Sequence, residues 1–162
     1  MPMKKTFLLA ALVLLFQLCL SPTAGLALEP LQPGDKDRCI VCGMLVAPYP
    51  DWIAVVAFND GSVYFFDGPK DMFNFLFDLK QYRPDATTAD IREVQVTEYY
   101  TLQRHNAREV YFVTGSDVLG PMGKELVPVA GEDALKTFLL DHGHDKVMRF
   151  DGERLAPVDP LP

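Results

Sequence analysis

Apolar residues in the first half of the chain change from the spacing of strands to that of a helix. Two runs rich in β-branched and aromatic residues, 52–58 and 62–66, flank the turn sequence Asn59-Asp60-Gly61, which predicts a β-hairpin. A helix over 69–80 is predicted next, because apolar residues recur at helical spacing at Met72, Phe73, Leu76 and Leu79. Asp67 precedes this helix and is predicted to cap its N-terminus.

Similar apolar runs continue toward the end of the chain. A polar connection over 81–90 and a glycine-rich loop over 115–124 separate runs that predict strands at 91–99, 110–114, 126–129 and 147–150. A second helix is predicted over 132–142, and Gly143 is the residue expected to end it.

The two halves of the chain resemble each other at an offset of 63 positions. This shift places Gly68 on Gly131 and aligns apolar residues of the two helices, namely Met72 with Leu135, Phe75 with Phe138 and Leu76 with Leu139. Each predicted helix also has two strands before it and one after it. We therefore predict an α+β fold of two β-β-α-β units, with antiparallel strands packed against two main helices. Amphipathic helices also resemble one another without shared ancestry, so the duplication is a hypothesis.

The first 27 residues have the pattern of an export signal. Lys4 and Lys5 precede a 14-residue apolar run over 7–20, and small residues at 23–27 suit cleavage. The run is shorter than the roughly 20 residues that a membrane span requires, so an uncleaved anchor is the weaker alternative. Lipidation at Cys19 is another alternative, but the residues before it lack the small side chain that lipoprotein processing prefers. We expect a periplasmic protein or one attached to the outer side of the inner membrane.

The remainder of the chain is predicted to be one domain with short flanking segments. A flexible leader is assigned to 28–38, a folded domain to 39–156 and a frayed tail to 157–162. The composition, 49% hydrophobic, excludes a disordered main body. Removal of residues 1–27 leaves 13 basic and 22 acidic side chains, a net charge of −9, which disfavours nucleic acid as a partner.

The chemistry of the mature chain is concentrated in a Cys-x-x-Cys motif. Cys39 and Cys42 are followed by Gly43 and Met44, which gives three sulfur atoms within six residues. Copper(I) accepts two or three soft donors, including a thioether, so this donor set favours copper(I). Gly43 permits a sharp turn that would bring the sulfurs of Cys42 and Met44 to one ion. A structural zinc site is disfavoured, because no second Cys-x-x-Cys or Cys-His cluster completes four nitrogen or sulfur donors.

The same cysteine pair leaves a thiol-disulfide oxidoreductase as the second hypothesis. In thioredoxin-like proteins the motif begins a helix after a buried strand. Here a polar leader precedes the motif and Ala47-Pro48-Tyr49-Pro50 follows it, so the context differs. No phosphate-binding loop or Ser-His-Asp order is present, and no enzyme activity is predicted.

These motifs resemble those of the nitrous oxide reductase accessory protein NosL family, whose fold is similar to that of the organomercurial lyase MerB. The resemblance spans nearly all of the mature chain and rests on 39–46, Asp60-Gly61-Ser62, Phe66-Asp67 and Gly120-Pro121-Met122-Gly123. It implies an exported, often membrane-tethered copper(I) chaperone that helps to load the copper centres of nitrous oxide reductase. The implied partners are apo nitrous oxide reductase or another cuproenzyme, and a copper transporter. Lyase chemistry would follow from fold analogy alone, which cannot establish it.

The resemblance also implies the copper ligands. It makes Cys42 and Met44 the main ligands, with Cys39 as the partner thiol and Met122 as a candidate from a distant part of the chain. For Met122 the alternative is packing, because methionine often fills gaps in a core. The lipoprotein signal usual in the family is poor here, which leaves a membrane tether open.

Other polar residues are expected to have structural roles. His105 lies in a polar stretch and is expected at the surface, whereas His142 and His144 flank the end of the second helix, where positive charge suits the helix dipole. Any of the three would otherwise offer an imidazole ligand. Asp67 and Asp71 are expected to stabilise the start of the first helix rather than to act chemically.

Overall fold

The computed structural model describes residues 31–159, which form two four-stranded antiparallel sheets, one two-stranded hairpin and three helices. The predicted signal peptide, Cys19, the first residues of the leader and 160–162 lie outside the described residues. Between residues 31 and 159, no helix has the length and apolar character needed to cross a membrane.

The first sheet is built on the predicted hairpin. Its strands have the order β2-β1-β3-β4, with β1 at Ala54–Phe58, β2 at Val63–Phe66, β3 at Ile91–Thr97 and β4 at Arg104–Asn106. Gly61 has φ +88° in the hairpin turn, a conformation that glycine adopts without strain. The three polar residues of β4 carry no apolar alternation, and the sequence pattern therefore did not predict this strand.

The second sheet has the order β10-β9-β5-β8, with β5 at Tyr111–Thr114, β8 at Val127–Val129, β9 at Lys146–Phe150 and β10 at Leu155–Val158. The predicted glycine-rich loop contains a separate hairpin of β6 (Leu119–Gly120) and β7 (Gly123–Lys124). The prediction of a frayed tail over 157–162 is wrong for its first two residues, because Pro157 and Val158 pair with β9. Proline is tolerated there because β10 is an edge strand.

The helices are α1 at Pro69–Phe77, α2 at Leu79–Tyr82 and α3 at Glu132–His142. The predicted helix over 69–80 is interrupted at Asp78, whose backbone is not helical. Its N-cap is Gly68, and Asp67 makes no capping hydrogen bond, so that prediction is wrong. The bounds of α3 and its end at Gly143, with φ +67°, are as predicted.

The topology shows the two equivalent units that the sequence offset predicts. In order along the chain, β1, β2, α1, β3 and β4 correspond to β5, β8, α3, β9 and β10, and the two sheets have equivalent strand orders. Gly68 and Gly131 are the N-caps of α1 and α3, as the offset of 63 requires. The α+β fold of two β-β-α-β units is confirmed; each unit has one additional edge strand, and the second also contains the β6–β7 hairpin.

Aromatic residues of α1 contact both large sheets. Phe75 lies 5.2 Å from Phe66 of the first sheet, between ring centroids, and Phe73 lies 4.9 Å from Phe112 and 5.2 Å from Phe150 of the second. Burial of each such ring stabilises the fold by about 1.5–3 kcal/mol. The position of α1, and of the residues at its start, is therefore fixed by the core.

Candidate metal centre

The two cysteines that are predicted to bind metal, Cys39 and Cys42, lie in a tight loop before β1. The Cys39 N–H donates to the Met44 carbonyl at 2.9 Å, and the Gly43 N–H donates to the Cys39 carbonyl at 2.8 Å. Gly43 has φ +79°, which confirms the sharp turn predicted at this glycine. The two backbone bonds hold residues 39–44 in one tight turn.

The end of the predicted leader closes this loop. Arg38 forms an isolated antiparallel bridge with Leu45, and its Nη1 donates to the Gly43 carbonyl at 2.7 Å. The Val46 N–H donates to the Asp37 carbonyl at 3.0 Å. These bonds hold the cysteine segment from both ends.

Two buried carboxylates face the cysteines. Cys42 Sγ donates to Asp67 Oδ1 at 3.2 Å, and Cys39 Sγ donates to Asp71 Oδ2 at 3.4 Å. One potential ligand atom from each of the four residues lies within 4.8 Å of the others. Asp67 and Asp71, which were expected to serve only the helix start, therefore belong to a candidate metal-binding cluster.

The protein environment keeps both thiols protonated in the metal-free protein. Burial raises the pKa of Cys39, which is only 1% exposed, far above its ordinary value. Burial raises the pKa of Cys42 to about 11, and hydrogen bonds to Asp67 and Asp71 contribute to the increase. A cation that binds the sulfurs must therefore displace protons.

The carboxylates change the range of metals that the donor set admits. Zinc accepts thiolate together with carboxylate ligands, so the argument against zinc from sulfur and nitrogen donors alone is weakened. Copper(I) prefers the sulfur atoms, and the neighbouring negative charge favours any cation. A direct comparison of copper(I) and zinc(II) binding therefore distinguishes the two metals.

The two methionines occupy different positions relative to the cluster. Met44 is half-buried in the cysteine loop. Met122 lies in the turn between β6 and β7 and is 49% exposed, which argues against the alternative that it fills a gap in the core. A ligand role for either sulfur is a prediction.

Within the described part of the chain, no histidine belongs to the four-residue cluster. His105 is half-buried in β4, where it pairs with Val96. At the end of α3, His142 Nδ1 lies 2.8 Å from a carboxylate oxygen of Asp117, and His144 is exposed. The cluster therefore offers sulfur and oxygen donors.

The comparisons with known proteins agree on the family and the fold. The NosL family model matches residues 30–153, and no curated protein matches the chain. The crystal structure of the copper chaperone NosL from Shewanella denitrificans has a TM-score of 0.63 at 23% sequence identity, with 76% of this chain and 93% of that chain covered. The Shewanella denitrificans protein is a copper chaperone, in agreement with the prediction that this chain is not an enzyme. Because the family model covers more than half of its length, the chain belongs to the NosL family.

Proposed function

We propose that the protein is an exported chaperone that carries copper(I) to a cuproenzyme, with apo nitrous oxide reductase as the recipient. The observation that carries this proposal is the convergence of Cys39 and Cys42 with Asp67 and Asp71 in a chain of the NosL family. Sulfur atoms supply the soft donors that copper(I) prefers. The carboxylates add negative charge close to the bound cation.

Differences in burial assign different roles to the two thiols. Cys42 is half-buried and reachable from solvent, whereas Cys39 is almost fully covered. Transfer by ligand exchange requires that an incoming ligand reach the ion before the outgoing ligand leaves. We therefore assign the main ligand roles to Cys42 and Met44, with Cys39 as the partner thiol and Met122 as an accessory ligand.

The raised thiol pKa values favour metal binding over the thiol-disulfide oxidoreductase hypothesis. Catalytic cysteines of such enzymes are exposed and have a lowered pKa, because the thiolate is the nucleophile. Here burial raises the pKa of both thiols, and the neighbouring carboxylates oppose thiolate formation further. A cation provides the compensating positive charge that an exchange reaction lacks.

The location and the partners follow from the same proposal. The signal sequence over 1–27 would direct the chain to the periplasm, where it would meet exported cuproenzymes. A copper transporter would supply the ion, and the recipient cuproenzyme would remove it.

Anaerobic titration of the reduced protein with copper(I) and a competing chelator tests the proposal. We expect one copper(I) ion to bind per chain. The affinity for zinc(II), measured in parallel, should be lower than that for copper(I). A disulfide-exchange assay on the same sample is expected to show slow reaction. Negligible copper(I) binding together with rapid thiol exchange would favour the oxidoreductase, and preferred binding of zinc(II) would contradict the copper assignment.

The choice of recipient needs a separate experiment. Copper-loaded protein is mixed with purified apo nitrous oxide reductase, and copper on each protein is measured after separation. Transfer that exceeds release to buffer supports this recipient. Equal transfer to an unrelated apo-cuproenzyme would contradict the specific assignment.

A further inference from the structure

One buried carboxylate joins the β6–β7 hairpin to the start of α1. Glu125 directly follows β7, is 8% exposed, and its Oε1 accepts the Lys70 N–H at 2.6 Å and the Leu126 N–H at 2.9 Å. Lys70 Nζ also donates to the Lys124 carbonyl at 2.9 Å. The base of the hairpin is therefore bound to the first turn of α1, between Asp67 and Asp71.

Two glycines make room for this carboxylate. A Cβ atom at Gly68 would lie 2.3 Å from Glu125 Oε2 and 2.9 Å from its Cδ. A Cβ atom at Gly120 of β6 would lie 3.1 Å from the Cβ and Cγ atoms of Glu125. Both backbones thus approach the glutamate side chain closely, one from the helix start and one from the hairpin.

The hairpin depends on this contact more than the helix does. Phe73 and Phe75 anchor α1 between the two large sheets. By contrast, β6 and β7 have two residues each and pair only with each other, and a two-stranded hairpin of this size is marginally stable by itself. Loss of the Glu125 contact should therefore free the hairpin while α1 stays in place.

We infer that Glu125 is a positioning residue of the metal centre: it holds the base of the β6–β7 hairpin on the start of α1 and thereby places the turn residue Met122 for an ion bound beside Asp67 and Asp71. Glu125 does not itself bind the ion and acts through the placement of Met122. This inference rests on the proposed copper(I) function, and its first test needs no metal.

Hydrogen exchange in the metal-free protein tests the clamp. We expect Glu125→Ala to increase amide exchange over 119–124 at least tenfold, and Glu125→Gln, which keeps an acceptor oxygen, to stay within threefold of wild type. Glu98→Ala is the matched control, because Glu98 is another buried carboxylate that accepts backbone N–H groups, from Tyr100 and Thr101. Unchanged exchange over 119–124 in Glu125→Ala would overturn the inference.

Copper(I) affinity in a double-mutant cycle tests the positioning role. Glu125→Ala should weaken copper(I) binding about tenfold in the wild-type background but no more than twofold in the Met122→Leu background, where no thioether remains to be placed. Glu125→Gln should restore binding to within threefold of wild type, and Glu98→Ala should leave it unchanged.

The outcomes separate the inference from the function on which it rests. If Glu125→Ala loosens the hairpin but keeps wild-type affinity, or if the tenfold loss persists with Met122→Leu, the positioning role is refuted. Wild-type protein that binds no copper(I) would refute the proposed function.

Discussion

Copper(I) binding is predicted to strengthen steeply as the pH rises from 6 to 9. The pKa of Cys42 is raised to about 11 and that of Cys39 is higher still, so both thiols are protonated across this range in the metal-free protein. Copper(I) binds the thiolate, and each coordinated cysteine therefore releases a proton. Because protons compete less well as the pH rises, the apparent affinity must increase.

The magnitude follows from the number of protons released. One proton corresponds to about 1.36 kcal/mol, or tenfold in affinity, for each pH unit. If Cys42 alone coordinates as a thiolate, the affinity should rise about tenfold per unit; if Cys39 also coordinates, it should rise about a hundredfold. The slope therefore counts the thiolate ligands.

Competition titrations under argon at pH 6, 7, 8 and 9 measure this slope, with a chelator whose own pH dependence is known. Calorimetry in buffers of different ionisation enthalpy counts the released protons independently. The Cys39→Ser variant is the control, and its slope should be tenfold per unit in either case. An affinity that does not change between pH 6 and pH 9 would refute the reasoning, because the thiols would then be ionised already or would not bind copper.

Oxidation of the Cys-x-x-Cys pair to a disulfide should abolish most copper(I) affinity, and mild reduction should restore it. The Cys39→Ser variant should keep its copper(I) binding after treatment with oxidant. Equal affinity of oxidised and reduced wild type would exclude the thiolates as copper ligands. Gly68→Ala should displace the Glu125 carboxylate and lower the free energy of unfolding by about 1–3 kcal/mol in urea, with Gly34→Ala, at an exposed glycine, as the control. The backbone of Leu102, a residue that is 52% exposed, is strained because its φ is +57°. Leu102→Gly should therefore raise the free energy of unfolding by about 0.5 kcal/mol, whereas Leu102→Ala should not. Equal free energies of unfolding for the two variants would exclude strain.

Local patterns predicted most of the elements of the fold. The hairpin, α1 and α3 each have a clear apolar period, and the offset of 63 indicates from the sequence alone that the two units are equivalent. The polar strand β4 and the break at Asp78 have no such pattern. The strand β4 forms by pairing with β3, which its own three residues do not signal.

The candidate site was predicted only on its cysteine side. Cys39, Cys42 and Met44 are close in sequence, so their proximity is a local property of the loop. Asp67 and Asp71 lie 25 to 32 residues beyond their cysteine partners, and α1 must dock before they reach the thiols. Their four-residue spacing was the available signal, but it equally suits carboxylates that stabilise a helix start.

The central claim is that copper(I) binds through Cys42 and Met44 beside the buried carboxylates. Copper(I) competition titration of wild type, Cys42→Ser and Met44→Leu tests it most directly. Met72→Leu is the matched control, because it removes a thioether that is buried in the core and is not assigned as a copper ligand. We expect at least a tenfold loss for Met44→Leu, equivalent to about 1.4 kcal/mol, a larger loss for Cys42→Ser and no change for Met72→Leu. Wild-type affinity in folded Cys42→Ser would contradict the claim and place the copper centre elsewhere.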